Sequence, residues 1–350
     1  MRLIAATDLT SPAWSGLWAA DACRHPMYQP AELRAGMGRR PSLYYLPAQL
    51  RPAAAGRAGG EFSPAHLVAA DADGPVMGVV MTIERNGGQT YLSSFGRPLY
   101  IAADATAGPL RRRAAARLLH DRLEELRCEH GAQGYHFRDF LTGGHQSELT
   151  ELVLRAGGQA LPYFVQLIDL SRPLDEISGG FRKSLRYLLR HHRDGYSAEV
   201  VTAGDVTGEH VKAFHGLHVG AFGETRPWAA WEAMGDCVRS GEAFWVFGCQ
   251  DGEFVSAGYF PCSDICCCYA SAANDRAQYG AGLSHLVLWR AIEHAQQQGC
   301  RSLELGERLY PGQHAGLDAK FHSIAHFKAG FGGDVAVRLD VFSAGAAGPT

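Results

Sequence analysis

The chain has 350 residues, enough for roughly two domains at about 100–200 residues each. It is 46% apolar and 20% charged, the balance of a soluble globular protein. A formal charge of −3 argues against a surface coated by nucleic acid, although a local basic stripe can still grip a phosphate. No apolar run approaches the roughly 18 residues that span a bilayer, and the N-terminal MRLIAATDLTSPAW lacks a signal-peptide pattern, so cytoplasmic placement is expected.

In chain order, SPAWSGLWAADAC offers Ser11 as an N-cap, with Trp14, Leu17 and Trp18 at helical spacing. The following stretch, including RPAAAGRAGG, reads as an irregular loop. Next comes HLVAADADGPVMGVVMTIERNGGQTYLSSF, a strand, a tight turn and further strands, with a hairpin signal at Asn86-Gly87-Gly88. Pro109 starts a helix to about Cys128, with Leu118, Leu119, Leu123 and Leu126 as its apolar stripe and a solvated basic face at Arg111, Arg112, Arg113 and Arg117. The strand GYHFRDF follows it.

The same order then recurs: FWVFGCQDGEFVSAGYFPCSDICCCYASA, the helix GLSHLVLWRAIEHAQQQG and the strand CRSLELG. A run of elements that occurs twice predicts two similar domains with a cleft where they meet. Helices sandwiched between mainly antiparallel strands make each half α+β. PYFVQLIDLSRPLDEIS reads as the last strand of the first domain and a linker, which sets the domains at 1–170 and 171–342. A tail of 343–350 follows, and the closing strand near Val335–Phe342 is able to return to the first domain. Further helices are predicted over Phe181–Arg193, Gly208–Ala221 and Trp228–Arg239, and a strand over Ser302–Leu305.

Four segments carry candidate chemistry. GFRKSLRYLLRHHRDG places Arg182, Arg186, Arg190 and Arg193 at spacings of three and four, on one helix face. Such a row suits phosphate oxygens, or simply solvates an amphipathic helix packed through Phe181, Leu185, Leu188 and Leu189. FGETRPW sets Arg226 before Pro227, which restrains its backbone and aims the side chain, so it can hold an anionic acceptor or merely decorate the surface. NDRAQYGAGLSHLVLW is a glycine-containing turn at Tyr279, Gly280 and Gly282 that opens a helix, where N–H groups and the dipole favour an anion. In HFKAGFGGD, Lys328 stands between Phe327 and a glycine run that permits a bend and close approach to a ligand. A lysine there can stabilise charge developing on a carbonyl oxygen, or lie at a loop edge.

The nine cysteines follow no disulfide framework. In the Cys266-Cys267-Cys268 run, alternate side chains point to opposite faces, and no second Cys/His pair nearby in sequence completes a tetrahedral set. Small buried thiols and no metal are the expectation.

In this order the segments resemble the Fem family of aminoacyl-tRNA-dependent peptidyltransferases and the related dual-GNAT acyltransferases, best from about Ile177 to Phe342. The NDRAQYGAG turn resembles the GNAT pyrophosphate loop, with Ala277 where that motif has Arg or Gln. The resemblance implies tandem GNAT-like domains and transfer of an aminoacyl group from aminoacyl-tRNA to a primary amine of a small-molecule or peptide acceptor. Acyl-CoA is the alternative donor, and no tightly bound cofactor is implied. It gives Lys328 the catalytic role, with Phe327 beside it, assigns the acceptor's phosphates to Arg226 and places Tyr269 on an aromatic strand. Glu304 stands where the family often has Asp. The general base stays open among Glu304, Glu224, His326 and the substrate's own phosphate. A first-domain basic anchor and a coiled-coil arm, found in members acting on peptidoglycan precursors, are not recognised. A non-catalytic protein that holds an anionic ligand is the reading from another class.

Overall fold

A computed structural model describes residues 1–5, 11–26, 61–94, 96–191, 194–224, 226, 228–278, 282–312 and 317–346. The predicted loop RPAAAGRAGG and Arg193 lie outside these residues. Among the described residues the chain forms two compact units. One takes residues 1–24, 61–163 and 337–346, the other residues 25–26 and 164–336. The division expected near Ser171 falls instead between Tyr163 and Phe164. The reason is a single long strand, Gln159–Asp169, whose two ends serve different units. The closing strand, Asp334–Phe342, passes back to the first unit from Val337 onward.

Elements are numbered in chain order. In the first unit β1 (Arg2–Ala5), β3 (Leu67–Asp71), β4 (Gly74–Val80) and β7 (Tyr100–Ala103) form an antiparallel sheet in the order β1-β3-β4-β7. The hairpin predicted at Asn86 is present: β5 (Thr82–Asn86) and β6 (Gln89–Ser93) pair around Gly87 and Gly88, both at positive φ. This hairpin does not continue the main sheet. It joins β2 (Glu61–Pro64) in a separate sheet, and β7 takes the place beside β4. Helix α1 (Pro12–Ala20) begins at Ser11, whose hydroxyl accepts from the Trp14 N–H. Helix α2 (Pro109–Glu129) buries Leu119, Leu123 and Leu126 together with Ala115 and Ala116, while Leu118 is only half-buried. Part of its basic face is paired, Arg111 with Asp71 and Arg112 with Glu148. Then follow β8 (His136–Asp139), α3 (Glu148–Arg155) and β9 (Gln159–Asp169). The core joins Val76, Met77, Val79, Leu99, Leu119, Leu123 and Phe137. Leu99 bridges Phe137 in parallel, so the chain before α2 meets the strand after it.

The second unit repeats this plan. Strands β10 (Tyr196–Val201), β11 (Ala243–Gln250), β12 (Glu253–Pro261) and β14 (Ser271–Asn274) form an antiparallel sheet in that order. Helices α4 (Leu174–Gly179) and α5 (Lys183–Arg190) precede it, and α6 (Gly208–Phe222) and α7 (Trp228–Arg239) lie between β10 and β11. The strand β13 (Cys266–Cys268) runs parallel to β15 (Ser302–Glu307), across the helix α8 (Leu283–Gln297). α8 packs Val287, Leu288, Ala291 and Ile292 against Phe244, Val246, Phe260, Leu303 and Leu305. Helix α9 (Ala319–Ala329) and β16 (Asp334–Phe342) close the chain. Among the described residues no helix is long and apolar enough to cross a membrane.

In the first unit α1 lies against β4 with Trp14 fully buried. A Cβ on Gly78 would sit 2.6 Å from the Trp14 ring and 2.7 Å from a Leu17 methyl. Overpacking of this kind costs about 1–3 kcal/mol. Gly78→Ala is therefore expected to lower the melting temperature by several degrees, as read by calorimetry, and an unchanged value would contradict this packing.

Candidate functional site

The site starts from a change of strand partners. Cys268 lies opposite Glu304 in the parallel pair β13·β15, and the Tyr269 N–H still donates to the Glu304 carbonyl at 2.8 Å. One residue on, the Ala270 N–H donates instead to the Tyr259 carbonyl, and Ser271–Asn274 continue as β14 on the edge of β12. The hydrogen bonds of this segment thus pass from β15 to β12 between Tyr269 and Ala270, and β14 and β15 part after Tyr269. Helix α8 begins beside this sheet at Gly282, which caps it in the left-handed region (φ +71). Free N–H groups at a helix start favour an anion. Tyr279 and Gly280 of the same turn lie outside the described residues.

Lys328 occupies the last turn of α9, whose start is capped by Asp318. Its ammonium lies 5.7 Å from the centre of the Tyr269 ring. It also rests on Gly306, where an added Cβ would come within 2.8 Å of Nζ. Gly306 is itself part of an irregularity in β15, where the register with β9 shifts between Glu304 and Gly306. A bulge beside a site re-aims the strand's side chains. Burial of the ammonium pushes the Lys328 pKa down to about 8, against the charges of Glu304 and Glu307, which pull it up. Phe327 packs on His285 and Phe331 at ring separations of 5.0 and 5.5 Å, which fixes the end of the helix. The glycines after Lys328 serve the protein's own backbone. A Cβ on Gly332 or Gly333 would strike the carbonyl of Gly180 or Leu167, so the close approach is to neighbouring chain.

The arginine row divides. Arg182 donates to Nε2 and to the carbonyl of His326, at 2.8 and 2.7 Å, and so ties the start of α5 to α9. Arg186 is half-buried and Arg190 exposed. Arg226 donates to the Ser271 hydroxyl at 3.3 Å and lies 5.0 Å from the centre of the Trp231 ring. It thus stands at the first residue of β14, two positions after Tyr269. Of the candidate bases, Glu224 faces His215 at 3.4 Å and Glu304 is buried.

Sequence reading did not single out His25. The fold brings its Nε2 to 3.1 Å from Glu304 Oε2 and 3.5 Å from Cys268 Sγ, across 279 and 243 residues of sequence. Local spacing carries no sign of contacts so distant.

Residues 179–314 match the acetyltransferase (GNAT) domain family. No protein of curated function matches the sequence significantly. Among solved structures, FemX superposes with a TM-score of 0.62 at 11% identity, over 80% of this chain and 88% of FemX. A tandem GNAT protein from the clavulanic acid biosynthesis pathway gives 0.54 at 14% identity, over 99% of this chain and all (100%) of that one. L-PGS from Bacillus licheniformis gives 0.54 at 12% identity, over 81% of this chain and 85% of its own. These likenesses show the fold, tandem GNAT domains, and the matched domain makes the protein an enzyme of the acyltransferase class.

The seat of Lys328 can be tested directly. Gly306 has φ +94, so Gly306→Ala combines backbone strain of about 1–3 kcal/mol with displacement of the ammonium. The variant is expected to lose most of its turnover along with some stability. Full turnover would show that the contact between Gly306 and Lys328 does not matter.

Proposed function

We propose that the protein moves an aminoacyl group from aminoacyl-tRNA to a primary amine of a small-molecule or peptide acceptor, forming an amide. The observation that carries this reading is the half-buried Lys328, its ammonium seated beside Tyr269 where the strands part. The resemblance of HFKAGFGG to the Fem segment gives that lysine its role. The FemX-like fold supports the same reading.

In the reaction the acceptor nitrogen attacks the ester carbonyl carbon and the carbonyl oxygen gains the electron pair. Collapse of the tetrahedral species expels the ribose oxygen, which takes up the proton released by the amine. Lys328 stays protonated throughout and neutralises the developing oxyanion. A cation fixed in place beforehand is worth more than one that solvent must reorganise to supply. In this reading Arg226, which donates to Ser271 at the head of β14, holds an anionic part of the acceptor. Holding two substrates together supplies much of the acceleration without a covalent enzyme intermediate.

Lys328→Met is expected to lower kcat by about a hundredfold or more with little change in KM. Wild-type turnover in that variant would remove Lys328 from the mechanism. Because the cation is present below its pKa and lost above it, single-turnover rates should fall as pH rises through about 8. Lys328→Arg should move that limb upward, since a guanidinium keeps its charge. A limb that stays in place would assign the titration to another group. Arg226→Ala should raise the acceptor's KM severalfold, and an unchanged KM would end its assignment.

Acyl-CoA is the second reading, favoured by the GNAT domain match and by the Gly282-capped start of α8. Labelled aminoacyl-tRNA and labelled acetyl-CoA, each offered with mixed extract as acceptor, separate the two. Transfer from aminoacyl-tRNA is expected. Transfer only from acetyl-CoA would establish the rival, and transfer from neither would leave an anion-binding protein.

A further inference from the structure

His25, Cys268 and Glu304 are all buried, at 6%, 4% and 7% exposure. One ligand atom from each lies within 4.8 Å of the others. Their arrangement is not that of a proton relay, in which the two ring nitrogens of a histidine serve different partners. Here Glu304 Oε2 and Cys268 Sγ converge on the same nitrogen, Nε2, at 3.1 and 3.5 Å. A ring nitrogen holds one proton or one lone pair in its plane, so a single hydrogen bond cannot serve both neighbours well.

A metal ion can. Tetrahedral zinc has Zn–N and Zn–O near about 2.0 Å and Zn–S near about 2.3 Å, which places N and O about 3.3 Å apart and N and S about 3.5 Å apart. The observed separations agree with both. The mixture of imidazole, thiolate and carboxylate suits zinc, whereas magnesium and calcium take oxygen ligands. Cys266, two residues earlier on the same strand, reaches the Cys267 carbonyl at 3.6 Å and the Cys268 thiol, but its Sγ does not join the convergent group of His25, Cys268 and Glu304. Three protein ligands are therefore offered, leaving one position for water or a substrate atom, as in catalytic zinc sites.

We infer that His25 Nε2, Cys268 Sγ and the Glu304 carboxylate bind a zinc ion. The thiol gives up its proton to solvent on binding, and the two anionic ligands balance the charge of the ion. The ion fastens residue 25 to β13 and β15, far from it in sequence. A carboxylate that holds zinc cannot also accept the acceptor's proton, so Glu304 then leaves the list of general bases. The site does not depend on the transfer reaction proposed above, and its test does not measure that activity.

The full chain, purified without chelator, should carry about one zinc by elemental analysis. Its zinc X-ray absorption spectrum should show a single sulfur neighbour at about 2.3 Å with nitrogen and oxygen at about 2.0 Å. Chelator-treated protein titrated with zinc chloride should regain the ion. Cys268→Ser and His25→Ala should each weaken binding by more than about a hundredfold, since even outer partners of a metal site are worth about 10–100-fold. Cys262→Ser, in a thiol that faces Cys267 and Cys300 instead, should bind zinc as the unaltered chain does. Failure of the wild-type chain to bind zinc chloride, a spectrum without sulfur, or unchanged affinity in folded Cys268→Ser would overturn the assignment. Should the variants not fold, the wild-type spectrum decides alone.

Discussion

Strands that diverge cannot keep a common ladder, and the segment from Cys268 to Ser271 changes partner where its neighbours separate. Up to Tyr269 it follows β15, and from Ala270 it follows β12. The parting of β14 from β15 goes with that change of partner. So does the position of Tyr269, the last residue on one side, and of Ser271, the first on the other, which receives Arg226. The bulge at Gly306 answers it on the neighbouring strand and gives the Lys328 ammonium a flat seat that a side chain would fill.

That seat sets the electrostatics. Taking an ammonium out of water favours its neutral form, and the nearby carboxylates of Glu304 and Glu307 favour the charged one. Partial burial wins, bringing the pKa of the half-buried Lys328 down to about 8, so the group is still mostly a cation at neutral pH. Phe327 and Phe331 on one side and the Arg182–His326 contact on the other hold the end of α9 in place. The residues around Lys328 fix where its ammonium sits, and the proposed transfer gives that ammonium the contact with the reacting oxygen.

Much of this was legible in the sequence, for identifiable reasons. Helix α7 was predicted over Trp228–Arg239 and forms there, because its apolar spacing and the proline before it fix both phase and start. The hairpin at Gly87-Gly88 needs positive φ at both positions, which its residues announce. What was not legible depends on long-range partners. β5 and β6 alternate like any strands, and nothing local says that β7 and not β6 pairs with β4. The glycines at 332 and 333 suggested room for a ligand but make room for Gly180 and Leu167. His25, Cys268 and Glu304 look ordinary one by one, and only the packed chain sets them around a common point.

The account stands or falls on the state of one amine. Selective labelling of the lysine side chains with nitrogen-15 in chelator-treated protein, with Lys328→Arg to assign the signal, allows its titration to be followed by NMR. A midpoint near 8 is predicted. A value near 10.4, that of a lysine in water, would place the ammonium in solvent and contradict the site built around it.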